Sequence, residues 1–101
     1  MRKQVVVIGG GISGLTAAYR LAQLSRGRKV PLRITLLEAK ERLGGVIQSR
    51  QTDGFLMEGA ADAFLSEKPW ALSLVEGLGL DAQLMPTRRE SQRSFIVRAG
   101  K

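Results

Sequence analysis

Val5-Val6-Val7-Ile8-Gly9-Gly10-Gly11-Ile12-Ser13-Gly14 joins a β-branched run of four to glycines spaced G-x-G-x-x-G at Gly9, Gly11 and Gly14. The run has no polar face to offer water, so it reads as a strand buried on both sides, as in a parallel sheet. The glycines predict a turn that cradles phosphate. Gly9 permits the tight exit from the strand, Gly11 lacks the Cβ that would hold a pyrophosphate off the backbone, and Gly14 lets a following helix lie close. The first-turn amides of that helix then point at the anion, together with the positive end of its dipole. A glycine-rich helix entry can also serve packing alone. Here a strand precedes it, a helix follows and an acid ends the next strand, which together point to dinucleotide binding.

From Ile12 or Ser13 to about Leu24, Leu15, Ala18, Tyr19 and Ala22 recur at helical spacing, with Leu21 and Leu24 widening the stripe. Basic residues of Ser25-Arg26-Gly27-Arg28-Lys29 sit at the negative helix end, and Gly27 is the expected left-handed cap. After Pro31, the run Leu32 to Leu37 reads as the second parallel strand and finishes on Glu38. Glu38 lies 24 positions after Gly14, near the roughly twenty expected of a ribose-binding acid. Its carboxylate can accept from both ribose hydroxyls, and its charge disfavours the 2′-phosphate of NADP.

In Arg42-Leu43-Gly44-Gly45-Val46-Ile47, the paired glycines permit a second close approach of backbone to ligand. Arg42 offers a fork of donors to a phosphate or carboxylate, or is a surface arginine beside a plain turn. Val46 to Gln51 and Phe55 to Glu58 flank Thr52-Asp53-Gly54, a strong hairpin signal. The small residues Gly59, Ala60, Ala61, Asp62 and Ala63 let backbone pass close to a bound ring, or form a plain linker. A second amphipathic helix is expected from Ser66 or Lys68 to about Leu78, with Pro69 in its first turn, Gly77 or Gly79 stopping it and Trp70 in the core. Phe95-Ile96-Val97-Arg98 is strand-like and Ala99-Gly100-Lys101 reads as a turn.

With 101 residues and 44% hydrophobic content the chain is at most one modest domain, able to bury a core but not to add a substrate domain. Too few strands are visible for a whole doubly wound nucleotide fold, so an amino-terminal piece of a longer protein is expected. With no cysteine and no histidine, a disulfide framework, a thiol nucleophile, a histidine base and nearly all zinc sites are excluded. Redox chemistry must then come from a bound cofactor. Met1-Arg2-Lys3-Gln4 runs straight into the strand without a signal-peptide body, which predicts a cytoplasmic start. The formal charge of +7 is dispersed and accompanied by one tryptophan and one tyrosine. It reads as a solvated basic surface rather than a nucleic-acid site, with weak attraction to acidic lipid as the sharper alternative.

The residues Gly9 to Gly14, Leu37-Glu38-Ala39 and Gly44-Gly45 resemble the signature of the flavin-dependent amine oxidase superfamily. Within it, Gly45-Val46-Ile47-Gln48-Ser49, Asp53-Gly54-Phe55, Asp62-Ala63-Phe64-Leu65 and Leu74 to Leu80 are most similar to the oxygen-dependent protoporphyrinogen and coproporphyrinogen oxidases of haem synthesis. The resemblance implies an α/β, Rossmann-like FAD-binding βαβ unit with a hairpin and second helix, residues 1–101 forming the amino-terminal part of a larger domain. It implies FAD rather than NAD. The pyrophosphate would lie on Gly9, Gly10, Gly11, Ile12, Ser13 and Gly14, and the adenosine ribose on Glu38 and Ala39. Arg42, Gly44, Gly45 and Val46 would take the phosphate and flavin side, and Gly59, Ala60, Ala61 and Asp62 the ring region. Two positions depart from the superfamily: Val46 stands where many members have arginine, and Ala60-Ala61 where Gly-Pro is common.

The implied reaction is six-electron oxidation of a tetrapyrrole porphyrinogen by oxygen, with hydrogen peroxide released and no catalytic proton-transfer or nucleophilic residue in this segment. The fragment alone is expected to be inactive. Another flavin oxidase or desaturase, and a non-catalytic nucleotide-binding module, are the rival readings.

Overall fold

The computed structural model describes residues 1–100. Two compact units divide the chain, the first Met1–Ala63 and the second beginning at Phe64. In the first, β1 (Lys3–Ile8) leads into α1 (Ile12–Gly27) and then β2 (Leu32–Leu37). β1 and β2 pair in parallel, Val5 opposite Ile34 and Ile8 opposite Leu37, which is the expected βαβ unit.

Helix α1 covers one face of this sheet. Val5 and Val7 of β1 and Leu32, Ile34 and Leu36 of β2 are half-buried, as are Leu15, Ala18, Tyr19 and Ala22 on α1. The other face is open: Val6 is 55% exposed, Ile8 86% and Leu37 53%. The expectation that β1 is buried on both sides is therefore corrected. Strand periodicity puts alternate residues on opposite faces, and within the described residues only one face has a covering element. Gly10 is the one fully buried residue among those described, so the expected hydrophobic core is reduced to a half-buried layer between α1 and the sheet.

Helix α1 runs three residues past the expected end and is not closed by Gly27. The left-handed residue is Lys29, at φ +53°. Lys29 N–H donates to Arg26 O and Val30 N–H to Ser25 O, at 3.3 and 3.0 Å, the paired bonds of a Schellman cap.

The hairpin of β3 (Ser49–Thr52) and β4 (Phe55–Glu58) turns at Asp53 and Gly54, both at positive φ, as the Asp-Gly pair predicts. β3 begins three residues later than expected. Gly44 and Gly45 turn at φ +107° and +60°, Ile47 N–H donates back to Gly44 O at 3.1 Å, and Ile47 O accepts from Arg42. The groups that would have extended the ladder are already used.

In the second unit, α2 (Pro69–Gly77) starts with Pro69 in its first turn and ends at a left-handed Gly79, where Leu80 N–H reaches Val75 O at 3.0 Å. Its half-buried stripe is Ala71, Leu72, Leu74 and Val75. Trp70 lies at the rim of that stripe and is 75% exposed, not in a core. Short 3₁₀ turns follow at Asp81–Gln83 and Arg89–Ser91. The expected strand at Phe95-Ile96-Val97 is not formed, because a strand requires a neighbour's hydrogen bonds and none of the described strands pairs with it. Among the described residues, no helix is long and apolar enough to cross a membrane.

Candidate dinucleotide-binding site

The four glycines between Gly9 and Gly14 differ in what a side chain would meet. Gly9 adopts φ +101°, a region that costs a side chain dearly. At Gly10, a Cβ would meet Leu43 Cδ2 at 2.6 Å and the Glu38 carboxylate at 2.9 Å; at Gly14, it would lie 1.8 Å from Gly9 O. Gly11 differs: at φ −76°, its Cβ would meet nothing closer than Gly45 Cα at 3.9 Å, an ordinary contact. The chain's own packing leaves room for alanine at Gly11. No contact among the described residues requires a bare backbone there.

The hydrogen bonds sort the amides in the same way. Gly9 N–H donates to Leu37 O at 2.7 Å, and Gly10 N–H to Glu38 Oε2 at 2.6 Å. Gly10 O accepts from Gly44 N–H at 2.8 Å. The first bond of α1 is Leu15 N–H to Gly11 O, at 3.0 Å, so the amides of Ile12, Ser13 and Gly14 have no helical acceptor behind them. The N-cap is Gly11, with no side-chain oxygen to cap them and no acid in the first turn. This helix end is shaped for an anion.

Glu38 stands at the tip of β2, half-buried. Its second oxygen, Oε1, accepts from Lys40 N–H at 3.1 Å. The Lys40 and Gly10 amides hold the carboxyl below the ordinary glutamate value of 4.5, against a smaller opposing effect of burial, with lesser help from the Ala39 amide and the Lys40 charge. With two amides donating, Glu38 stays an anion and retains lone pairs for hydroxyl donors. Because folding lowers its pKa, the stability it contributes is complete above about pH 4.5 and disappears as pH falls through the lowered folded value. Unfolding midpoints measured from about pH 6 down to about pH 3 should therefore fall more steeply for the native chain than for Glu38→Gln. Parallel curves would mean that the carboxylate does not hold the turn.

Gly44 and Gly45 close on the glycine turn itself. Gly44 makes a parallel bridge to Gly11, and a Cβ on Gly45 would come within 3.1 Å of Gly11 Cα. The pair thus makes a close approach of backbone to backbone within the chain. The Arg42 guanidinium folds over the same turn, Nη1 donating to Leu43 O and Ile47 O at 3.1 and 3.2 Å and Nη2 to Gly45 O. Val46 is exposed beside it.

Gly59 sits apart at the base of the hairpin, donating to Gln48 O at 2.7 Å. It lines a cavity of about 320 Å³ with Gln48, Arg50, Met57 and Glu58. Ala39, Ala60, Ala61 and Asp62 are exposed. The structure thus gathers Gly9 to Gly14, Glu38, Arg42, Gly44 and Gly45 into one cluster. Two of its members were not singled out in the sequence: Leu43, which packs over Gly10, and Lys40, whose amide braces Glu38. Leu43 could have been noticed from its place between Arg42 and the paired glycines, but an amide donor carries no residue-type signal.

Comparison with known proteins shows what the chain is similar to. The chain is 44% identical over 84 residues to a coproporphyrinogen III oxidase of Bacillus subtilis, covering 83% of this chain and 18% of that protein. It is 37% identical to protoporphyrinogen oxidase 2, chloroplastic/mitochondrial, of Arabidopsis thaliana, covering 97% of this chain and 18% of that one. A crystal structure of a protein provisionally named a protoporphyrinogen oxidase, from Exiguobacterium sp. 255-15, superposes with a TM-score of 0.68 at 41% identity, covering 81% of this chain and 17% of that chain. The chain thus spans less than a fifth of the length of these relatives, and its small α/β unit corresponds to a fragment of a larger oxidase fold. Residues 7–78 match the profile of the NAD(P)-binding Rossmann-like domain, and with the end of β1, the glycine turn, α1 and β2 lying inside that span, the chain belongs to this family.

Proposed function

We propose that this chain forms the ADP-binding part of the FAD site in a porphyrinogen oxidase of haem synthesis, acting on coproporphyrinogen III or protoporphyrinogen IX. The observation that carries the dinucleotide reading is Gly11, where an added Cβ would make only one ordinary contact among the described residues, with Gly45 Cα at 3.9 Å. The pyrophosphate lies against the Gly11, Ile12, Ser13 and Gly14 amides, while Gly9 and Gly10 spend their own amides on shaping the turn. Glu38 accepts the ribose hydroxyls, with Ala39 beside it. Gly45 and Val46 continue the surface toward the flavin, with Gly59, Ala60, Ala61 and Asp62 on the ring side.

The names of the relatives supply the substrate class. When bound, FAD would supply the redox chemistry of the reaction, oxidation of the macrocycle with oxygen as acceptor. This chain's residues bind and orient, and none moves a proton. A cytoplasmic setting, with at most weak attraction to acidic lipid, belongs to the same reading.

Within the complete polypeptide, purified without denaturant and supplied with excess FAD, the site is expected to give a yellow protein that oxidises coproporphyrinogen III or protoporphyrinogen IX with release of hydrogen peroxide. A colourless protein with no adenine nucleotide bound would refute the site. Bound flavin with turnover only of an amine or a carotenoid would move the protein to another branch of flavin oxidases. Glu38→Ala should weaken FAD binding roughly ten- to a hundredfold by fluorescence titration, the effect of losing a charge-assisted hydrogen bond. Unchanged affinity would remove Glu38 from the ribose.

A further inference from the structure

The geometry points to Arg42 as a positioning residue that clamps the Gly44-Gly45 turn onto the diphosphate turn, rather than as a charge that meets the phosphates. This rests on the dinucleotide reading above. Three carbonyl oxygens, those of Leu43, Gly45 and Ile47, converge on one guanidinium. Carbonyls turned toward a common point repel one another, and a planar cation with several fixed donors is the side chain suited to hold them there.

The turn they belong to runs through two consecutive left-handed residues, a conformation that glycine tolerates but does not favour over others. Something must select it. Arg42 does so from one side, and from the other Gly44 N–H donates to Gly10 O at 2.8 Å. The clamp matters to the ligand because Gly45 lies directly against Gly11, the residue on which the dinucleotide reading places the phosphate. Drift of the paired glycines would crowd or uncover that place.

The test compares Arg42→Lys with Arg42→Met in the protein. Lysine keeps the charge but loses the fork. Amide exchange of Gly44, measured without nucleotide, is expected to speed up in both variants. ADP affinity should fall roughly tenfold in both, with the dependence on salt unchanged from the native protein. A phosphate contact predicts the reverse: lysine would retain most of the affinity, methionine would flatten the salt dependence, and Gly44 exchange would stay slow. That pattern, or unaltered Gly44 exchange alone, overturns the clamp. Failure of the native protein to bind ADP at all would instead overturn the dinucleotide reading, with the exchange result still deciding the clamp.

Discussion

Gly14→Ala should cost about 3 kcal/mol or more of folding stability, at the upper end for overpacking, and lower the urea midpoint accordingly. The added methyl would sit 1.8 Å from Gly9 O. That oxygen belongs to the backbone of a turn held on its other side by the Gly9 amide bond to Leu37, so it has no rotamer by which to move away. Either α1 lifts from the sheet or the turn opens, and both uncover the half-buried layer between them. Gly27→Ala is the internal control. It lies in the same helix with nothing within 4 Å of its Cβ position, and should instead gain roughly 0.5–1 kcal/mol through a stiffer unfolded chain. If both substitutions shift the midpoint alike, close packing is not what Gly14 provides.

Gly11→Ala should leave stability within about 0.5 kcal/mol of the native chain, the weaker N-cap being offset by reduced freedom in the unfolded state. Its affinity for FAD or ADP should nevertheless drop roughly a hundredfold, the effect of a methyl group forced into a close contact. The two measurements together separate a residue kept bare for the fold from one kept bare for a ligand. Unchanged nucleotide affinity would mean that no phosphate lies against this turn, and the oxidase reading would lose its cofactor site.

The βαβ unit was legible because its signals are local. A β-branched run, a helical stripe at Leu15, Ala18, Tyr19 and Ala22, and Asp-Gly at the hairpin each depend on neighbours in the chain. What was not legible was decided between elements. Nothing in Val5 to Ile8 tells which face α1 will cover, so burial of both faces was overestimated. Phe95-Ile96-Val97 has strand chemistry, yet it forms none without a partner to bond. Lys29 took the left-handed cap in place of Gly27 because α1 ran on through the glycine, and helix ends are set by competing backbone bonds as much as by residue type. In the candidate site, Glu38 and the glycines were singled out by spacing, and the turn brings them together. The carbonyl contacts of Arg42 were not legible, since a guanidinium suits carbonyls and phosphates equally well and only the fold of the turn brings the oxygens of Leu43, Gly45 and Ile47 to it.

With Glu38 on the ribose as proposed, the bond from the Gly10 amide to Glu38 would bind the choice of nucleotide to the architecture of the loop. Anyone re-engineering the chain toward a phosphorylated ribose would start by replacing that acid with a neutral or basic side chain, the usual route for such a swap. Here the exchange would also remove the prop beneath the loop, so altered preference and a loosened grip would arrive together unless a new acceptor for the Gly10 amide were supplied in the same redesign.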